Sequence, residues 1–333
     1  MNKQILTQTV ARLTISPKGI LAIDESMSTC GKRFEKLGVP TTEEKRREYR
    51  ELLVTAPEIE KYISGYILFD ETIKQKTKSG KSFVSVLREK GIDVGIKMDE
   101  GLVDFSPLTG EKVTKGLDGL NERLKKYRNL GASFAKWRAT YAIGVNAPSE
   151  DCMKENAVLF AKYAKLCQEN DIVPIVEPEV LVDGDYTIEK CYEVDAKNLQ
   201  IIFSELKNSE IFIPGIILKH SMIFSGKEAS DRAPAEKVAE MTIKCFKENI
   251  PTDIGGIVFI SGGQPGDEAA INLNAMHKYA PFPWPLSFSY GRAIQNGALQ
   301  SWAKNPADVV GAQALLLQAA KNNSLATIGK YKV

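Results

Sequence analysis

The sequence predicts a TIM barrel, an α/β fold in which eight strand–helix units close into one domain over residues 1–333. Three observations predict it. Eight apolar runs recur along the chain, most of them near-continuously apolar, as strands buried on both faces of a parallel sheet are. Helical patterns lie between the runs. The length of 333 residues suits eight such units. A doubly wound open sheet is the alternative, but no GxGxxG follows the first run, which counts against it. No linker divides the chain, and nothing repeats beyond the alternation itself.

The elements follow in order. Residues 1–14 form a short amphipathic helix; with no cationic region leading into an apolar run, they are not a signal peptide. The runs lie at 19–23, 62–69, 93–98, 132–137, 172–176, 215–218, 256–260 and 285–288. Residues 43–55 are charged and amphipathic, with Thr41 or Thr42 as the cap. Residues 117–130 carry a helical stripe of Leu117, Leu120, Leu124, Tyr127 and Leu130, closed by Gly131. Further helices are expected at 151–169, at 235–248 after Pro234, and from Pro306 in an Ala-, Leu- and Gln-rich segment.

Composition excludes several classes. The formal charge is +2, which gives no electrostatic reason to expect nucleic acid or a membrane surface as a partner. No apolar run approaches the ~18 residues of a membrane span. The five cysteines form no CxxC pair and are odd in number, which fits free thiols in a reducing compartment. With two histidines and no Cys–His cluster, no metal site is expected. A cytoplasmic protein is the default.

The ends of the runs are unusual. Asp24 ends the first, Lys97 and Asp99 the third, Lys136 and Arg138 the fourth, Glu177 and Glu179 the fifth, and Lys219 the sixth. Ser261, Gly262 and Gly263 follow the seventh; Ser289, Gly291 and Arg292 follow the eighth. In a TIM barrel these ends face the active site. Strand side chains alternate, so Lys97 shares a face with Asp99, Lys136 with Arg138, and Glu177 with Glu179. One such lysine is easily a side chain snorkelling to the rim. Three, with carboxylates on neighbouring strands, leave as the plain alternative a charge network that closes the barrel mouth.

The set permits a specific chemistry. A neutral lysine attacks a carbonyl and forms a Schiff base. An ordinary amine titrates near ~10.4 and working ones near ~7–8, a gap of about 4 kcal/mol. Burial and a neighbouring ammonium both act in that direction. Glu177 and Glu179, repelling each other on one face, suit proton transfer, and Asp24 beside a lysine suits a base. Residue types leave the nucleophile open. Lys136 has a same-face cation in Arg138, and Lys219 has the more apolar approach.

Glycines after the last two runs let backbone N–H groups close on an anion that Arg292 can hold, where TIM barrels commonly bind phosphate. Ser26 and Thr29, with Lys32 and Arg33 a turn later, suit a second phosphate; a capped helix with a solvated basic face explains them equally well.

The motifs GILAIDES at 19–26, FAKWR at 134–138, VEPE at 176–179, LK at 218–219, ISGGQ at 260–264 and SYGR at 289–292 resemble class I fructose-1,6-bisphosphate aldolase, from about Leu6 to Tyr331. The resemblance implies reversible cleavage of fructose 1,6-bisphosphate to dihydroxyacetone phosphate and glyceraldehyde 3-phosphate, in glycolysis or gluconeogenesis, by a cytoplasmic homotetramer needing neither cofactor nor metal. It implies that Lys219 is the Schiff-base lysine and Glu177 the main acid/base for the carbinolamine. Glu179 then positions the lysine, Asp24 handles the C4 hydroxyl proton, and Lys136 stabilises charge. Lys97 and Arg138 complete the polar site. Ser261, Gly262, Gly291 and Arg292 bind the C1 phosphate, with Gly263 and Ser289 beside them; Ser26, Thr29, Lys32 and Arg33 lie near the C6 phosphate. The chain departs from the family in three places. It ends at Val333, short of the family's mobile tail with its terminal tyrosine. It has His220 where proline usually follows the lysine, an imidazole whose effect on that lysine has no predicted sign. It has Thr29 where serine is favoured. Broader use of ketose phosphates, such as sedoheptulose 1,7-bisphosphate or fructose 1-phosphate, is the enzymatic alternative. An idle barrel kept as a scaffold is the other, and the complete residue set argues against it.

Overall fold

The computed structural model describes residues 1–105 and 110–332; Val333 lies outside the described residues. Among the described residues ten strands occur: β1 (Gly19–Ile23), β2 (Ile63–Leu68), β3 (Asp93–Lys97), β4 (Leu102–Asp104), β5 (Lys112–Thr114), β6 (Phe134–Tyr141), β7 (Val173–Val180), β8 (Ile217–His220), β9 (Gly256–Phe259) and β10 (Leu286–Tyr290). Eight close into a parallel barrel in the order β1-β10-β9-β8-β7-β6-β3-β2, and β4 pairs antiparallel with β5. This is the TIM barrel that the sequence predicts. The helices are α1 (Lys3–Leu13), α2 (Met27–Glu35), α3 (Glu43–Thr55), α4 (Asp70–Lys74), α5 (Phe83–Glu89), α6 (Leu120–Leu130), α7 (Glu150–Glu169), α8 (Ile188–Asn208), α9 (Ala235–Asn249), α10 (Gly266–Ala275), α11 (Arg292–Lys304) and α12 (Val309–Ala326).

Local chemistry sets the boundaries. Thr42 caps α3 by accepting from Lys45 N. The stripe expected from residue 117 becomes helix only at Leu120, because Gly119 is left-handed. The last helix starts at Val309, not Pro306, with Asp308 accepting from Gly311 N. The run expected from Gly215 becomes strand only at Ile217, because Ile213–Gly215 form a 3₁₀ turn around Pro214.

The barrel interior is a compact apolar layer. Ile20, Ala22, Ile67, Phe134, Val173, Ile175, Ile217 and Val258 pack with Leu6, Val10 and Leu13 of α1. Side-chain alternation then places Asp24 one pleat above Ala22, Lys136 above Phe134, Glu177 above Ile175 and Lys219 above Ile217. The layer has no slack at Gly95, where a Cβ would lie 2.2 Å from the Phe134 ring. Gly95→Ala is therefore expected to lower stability by about 1–3 kcal/mol through overpacking. Urea unfolding measures it.

Candidate active site

The charged strand ends meet at one mouth of the barrel. Lys136, Glu177 and Lys219 are each only 4% exposed. Lys219 Nζ lies 3.1 Å from Glu177 Oε1, and the other oxygen of Glu177 lies 3.3 Å from Lys136 Nζ. Lys136 also reaches Asp24 at 2.8 Å and Asp99 at 3.7 Å. Asp99 pairs with Lys97 at 2.6 Å, and Lys97 stands directly across the β3–β6 ladder from Lys136. A continuous line of alternating charge thus crosses the mouth from β8 to β1 and β3.

The strands make this possible by continuing past the predicted ends. β6 and β7 run in register for eight residues, from Phe134 opposite Val173 to Tyr141 opposite Val180. Lys136, Arg138, Glu177 and Glu179 all lie within that ladder, so each pair stays on one face.

Two expectations change. The same-face cation does not loosen the proton on Lys136. Burial opposes its charge, but Asp24, Glu177 and Asp99 outweigh burial and hold it as a firm ammonium. Nor do Glu177 and Glu179 act as a repelling pair, since each faces its own cations. Glu177 lies between two lysines, and Glu179 pairs with Arg138. Burial likewise opposes the charge on Arg138, and Glu179 and Glu177 hold it protonated.

Asp24 is the mirror case. Burial would raise its carboxyl, but Lys136, Lys219 and Lys97 outweigh burial and bring it down to about 2. A carboxyl depressed in the folded state stabilises the fold above its unfolded value and loses that contribution as pH falls through the folded one. Wild type should therefore exceed Asp24→Asn in stability by about 2 kcal/mol at neutral pH. The difference should fade between about pH 4 and pH 2, read by urea unfolding at successive pH values.

The mouth opens into a cavity of about 1350 Å³. Asp24, Lys97, Lys136, Arg138, Glu177, Glu179 and Lys219 line it, with Ser261, Gly262, Ser289, Gly291 and Arg292 on one side and Ser26, Thr29, Lys32 and Arg33 on another. The Ser289 hydroxyl is buried and has no hydrogen-bond partner among the described residues. Gly262 turns at a φ of 55°, which favours glycine. Gly263 is the exception among the predicted binding residues: it does not line the cavity, and a Cβ there would meet Val182.

The second cluster is more than a solvated helix face. Ser26 caps α2, and its Oγ lies 3.1 Å from that of Ser28 and 3.0 Å from Oγ1 of Thr29. Arg33 is already engaged, by Glu25, Gln295 and Asn296, which ties α2 to α11. Lys32 is exposed.

Sequence reasoning set Asp99 at the mouth without giving it a role, and passed over Glu25. Asp99 had a signal, its shared face with Lys97. Glu25, which pairs with Arg33 and with the buried Arg50, had none, because Arg50 reads as one more charge on an amphipathic helix. His220 does not join the site. Alternation turns its ring out of the barrel toward α8 and α9, where it meets Asp195 and Phe246. Among the described residues, no helix is long and apolar enough to cross a membrane.

Comparison with known proteins agrees with this geometry. The family model for fructose-bisphosphate aldolase class-I matches residues 5–333. A probable fructose-bisphosphate aldolase class 1 from Xanthomonas campestris pv. campestris is 49% identical over 333 residues, covering all of both chains. Cytosolic fructose-bisphosphate aldolase 4 of Arabidopsis thaliana is 47% identical over 316 residues, which are 95% of this chain and 80% of the plant protein. The fructose-bisphosphate aldolase of Plasmodium falciparum, solved in complex with TRAP and a small-molecule inhibitor, superposes with a TM-score of 0.97. It is 42% identical, and the match covers 99% of this chain and 96% of the other. With a lysine- and carboxylate-lined mouth on a TIM barrel and relatives of one activity along its whole length, the chain belongs to the class I fructose-bisphosphate aldolase family and is a lyase.

Proposed function

We propose that the chain cleaves fructose 1,6-bisphosphate through a Schiff base on Lys219. The observation that carries this reading is the contrast between the two buried lysines. Lys136 is hemmed by three carboxylates, whereas among the described residues Lys219 has one carboxylate within ion-pair distance, Glu177 at 3.1 Å. Glu177 is placed to take the proton that Lys219 must lose before it can attack.

The steps follow from these positions. The Lys219 amine adds to the C2 carbonyl, and Glu177 passes the protons that turn the carbinolamine into an iminium and water. Asp24 takes the C4 hydroxyl proton while the C3–C4 bond breaks and its electrons pass to the iminium. Glyceraldehyde 3-phosphate leaves. Protonation of the enamine at C3 and hydrolysis then release dihydroxyacetone phosphate and free Lys219. Lys136 stabilises developing negative charge, Lys97 and Arg138 support the carboxylates around it, and Glu179 acts on the lysine's placement through Arg138. Ser261, Gly262, Ser289, Gly291 and Arg292 would hold the C1 phosphate, and Ser26, Thr29, Lys32 and Arg33 the C6 phosphate.

Borohydride added with substrate should trap an adduct on Lys219, and EDTA should leave turnover unchanged. An adduct on Lys136 instead, or loss of activity to EDTA, would refute the mechanism. The cavity of about 1350 Å³ also favours a second reading, use of longer or singly phosphorylated ketoses. The ratio of kcat/KM for sedoheptulose 1,7-bisphosphate and fructose 1-phosphate to that for fructose 1,6-bisphosphate decides it. We treat the chain as one catalytic domain, metal-independent, cytoplasmic and homotetrameric as its family is, serving glycolysis or gluconeogenesis; sedimentation equilibrium tests the assembly.

A further inference from the structure

Outside the barrel wall at Lys219 lies a second set of titratable groups that the cleavage chemistry does not use. His220 and Asp195 are both 0% exposed. The imidazole Nε2 lies 3.2 Å from Asp195 Oδ1, within ion-pair reach but with no hydrogen bond between them, and Nδ1 lies 2.8 Å from the carbonyl oxygen of Ser221. A carboxylate and a carbonyl both accept and cannot donate. In either neutral tautomer, one ring nitrogen would turn a lone pair toward one of these oxygens. Only the doubly protonated ring both bonds the Ser221 carbonyl and sets a positive charge beside the Asp195 carboxylate.

The other neighbours fit a charged ring. Cys191, one turn earlier on α8, donates to the second oxygen of Asp195 at 3.5 Å. Burial raises the thiols of Cys191 and of Cys245 on α9, so both stay neutral. Phe246 of α9 meets the imidazole edge-on, with ring centroids 5.3 Å apart. Burial opposes charge on His220; Asp195 outweighs it, with a smaller pull from Glu179, and the ring is more basic than usual.

A buried ion pair is weak evidence for stability, because desolvation offsets most of its attraction. Its contacts suggest another use. The ring holds the Ser221 carbonyl, and the His220 carbonyl accepts from Ile260 N at 2.9 Å. Ile260 leads straight into Ser261 and Gly262. The two segments are also packed side by side: a Cβ on Gly262 would lie 3.0 Å from the Phe224 ring and 4.0 Å from Ser221 Cβ.

We propose that His220 and Asp195 form a buried imidazolium–carboxylate pair that positions the active site, fixing the end of β8 so that Lys219 and the Ser261–Gly262 turn keep one spacing. The proposal rests on Lys219 as the imine-forming residue. The pair touches no reacting atom; it acts through the backbone, so that an imine at C2 and a phosphate at C1 are held at the same time.

The first test is spectroscopic and uses the intact protein. The chain has two histidines, His220 and His277, so ¹⁵N spectra of the imidazoles separate them readily. In a pH titration both ring nitrogens of His220 should keep their protons to higher pH than an ordinary imidazole, whose value is near ~6.5. A His220 that loses its second proton at or below that ordinary value overturns the proposal. The second test is kinetic. Asp195→Asn and His220→Gln should each lower kcat/KM for fructose 1,6-bisphosphate by about 10²-fold through misplacement. The loss should appear in kcat per site able to form the borohydride adduct. If those sites turn over at the wild-type rate and only the folded fraction falls, the pair is merely structural and the proposal fails. Lys219→Ala is the separating control. An adduct that persists there overturns the Lys219 assignment itself, by a result in which neither His220 nor Asp195 takes part.

Discussion

Lys219→Ala should abolish cleavage, lowering kcat by roughly five orders of magnitude or more, as removal of a covalent nucleophile does. The fold should survive. Lys219 contributes one ammonium to a carboxylate, Glu177, that keeps Lys136 at 3.3 Å. No buried anion is stranded, so the unfolding midpoint should move little. Mass spectrometry of the borohydride-treated variant should show no dihydroxyacetone phosphate adduct. Residual turnover within a hundredfold of wild type would transfer the nucleophile's role to another amine.

Lys136→Met should fail in a different way, losing stability as well as rate. The ammonium of Lys136 is the shared counter-ion of Asp24, Glu177 and Asp99, at 2.8, 3.3 and 3.7 Å. Its removal leaves three neighbouring carboxylates short of charge, and stranding a buried charge costs about 3–5 kcal/mol. Asp24, deprived of its strongest lysine, should rise well above about 2. Activity should fall by about 10³-fold, the scale of losing a preorganised charge stabiliser. Urea unfolding and steady-state turnover measure the two effects. Because the carboxylates are what Lys136→Met destabilises, the variant should recover stability as pH is lowered and they protonate. A variant as stable as wild type at neutral pH would show that the charges at the mouth are independent of one another.

Most of the barrel was legible because its strands are apolar on both faces and the helices between them carry a clean stripe. The site was legible for a related reason. A charge at the end of an apolar run is conspicuous, and alternation assigns its face without knowledge of the fold. The same clue misled about extent. Arg138 and Glu179 read as strand ends because they are charged, yet β6 and β7 run on through Tyr141 and Val180. The β4–β5 hairpin gave no signal, being three residues a side with β4 exposed. The firmness of the proton on Lys136 was out of reach in principle, since it depends on carboxylates contributed by β7 and by the turns after β1 and β3. His220 was half legible. The sequence reading set it beside Lys219 although strand alternation turns adjacent side chains to opposite faces, and nothing local announces Asp195, twenty-five residues earlier on another element.

Asp24, Lys136, Glu177 and Lys219 each stand one pleat above a member of the inner apolar layer: Ala22, Phe134, Ile175 and Ile217. The chemistry therefore inherits its tolerances from hydrocarbon. A methylene gained or lost at Ile217 is a change in the height and tilt of the Lys219 stem, and the ring of Phe134 acts as a shim beneath Lys136. Substitutions in this layer that barely move a melting curve should still register in turnover, where sub-ångström placement is amplified exponentially. For this barrel, catalysis is a finer gauge of how well the core is packed than stability is.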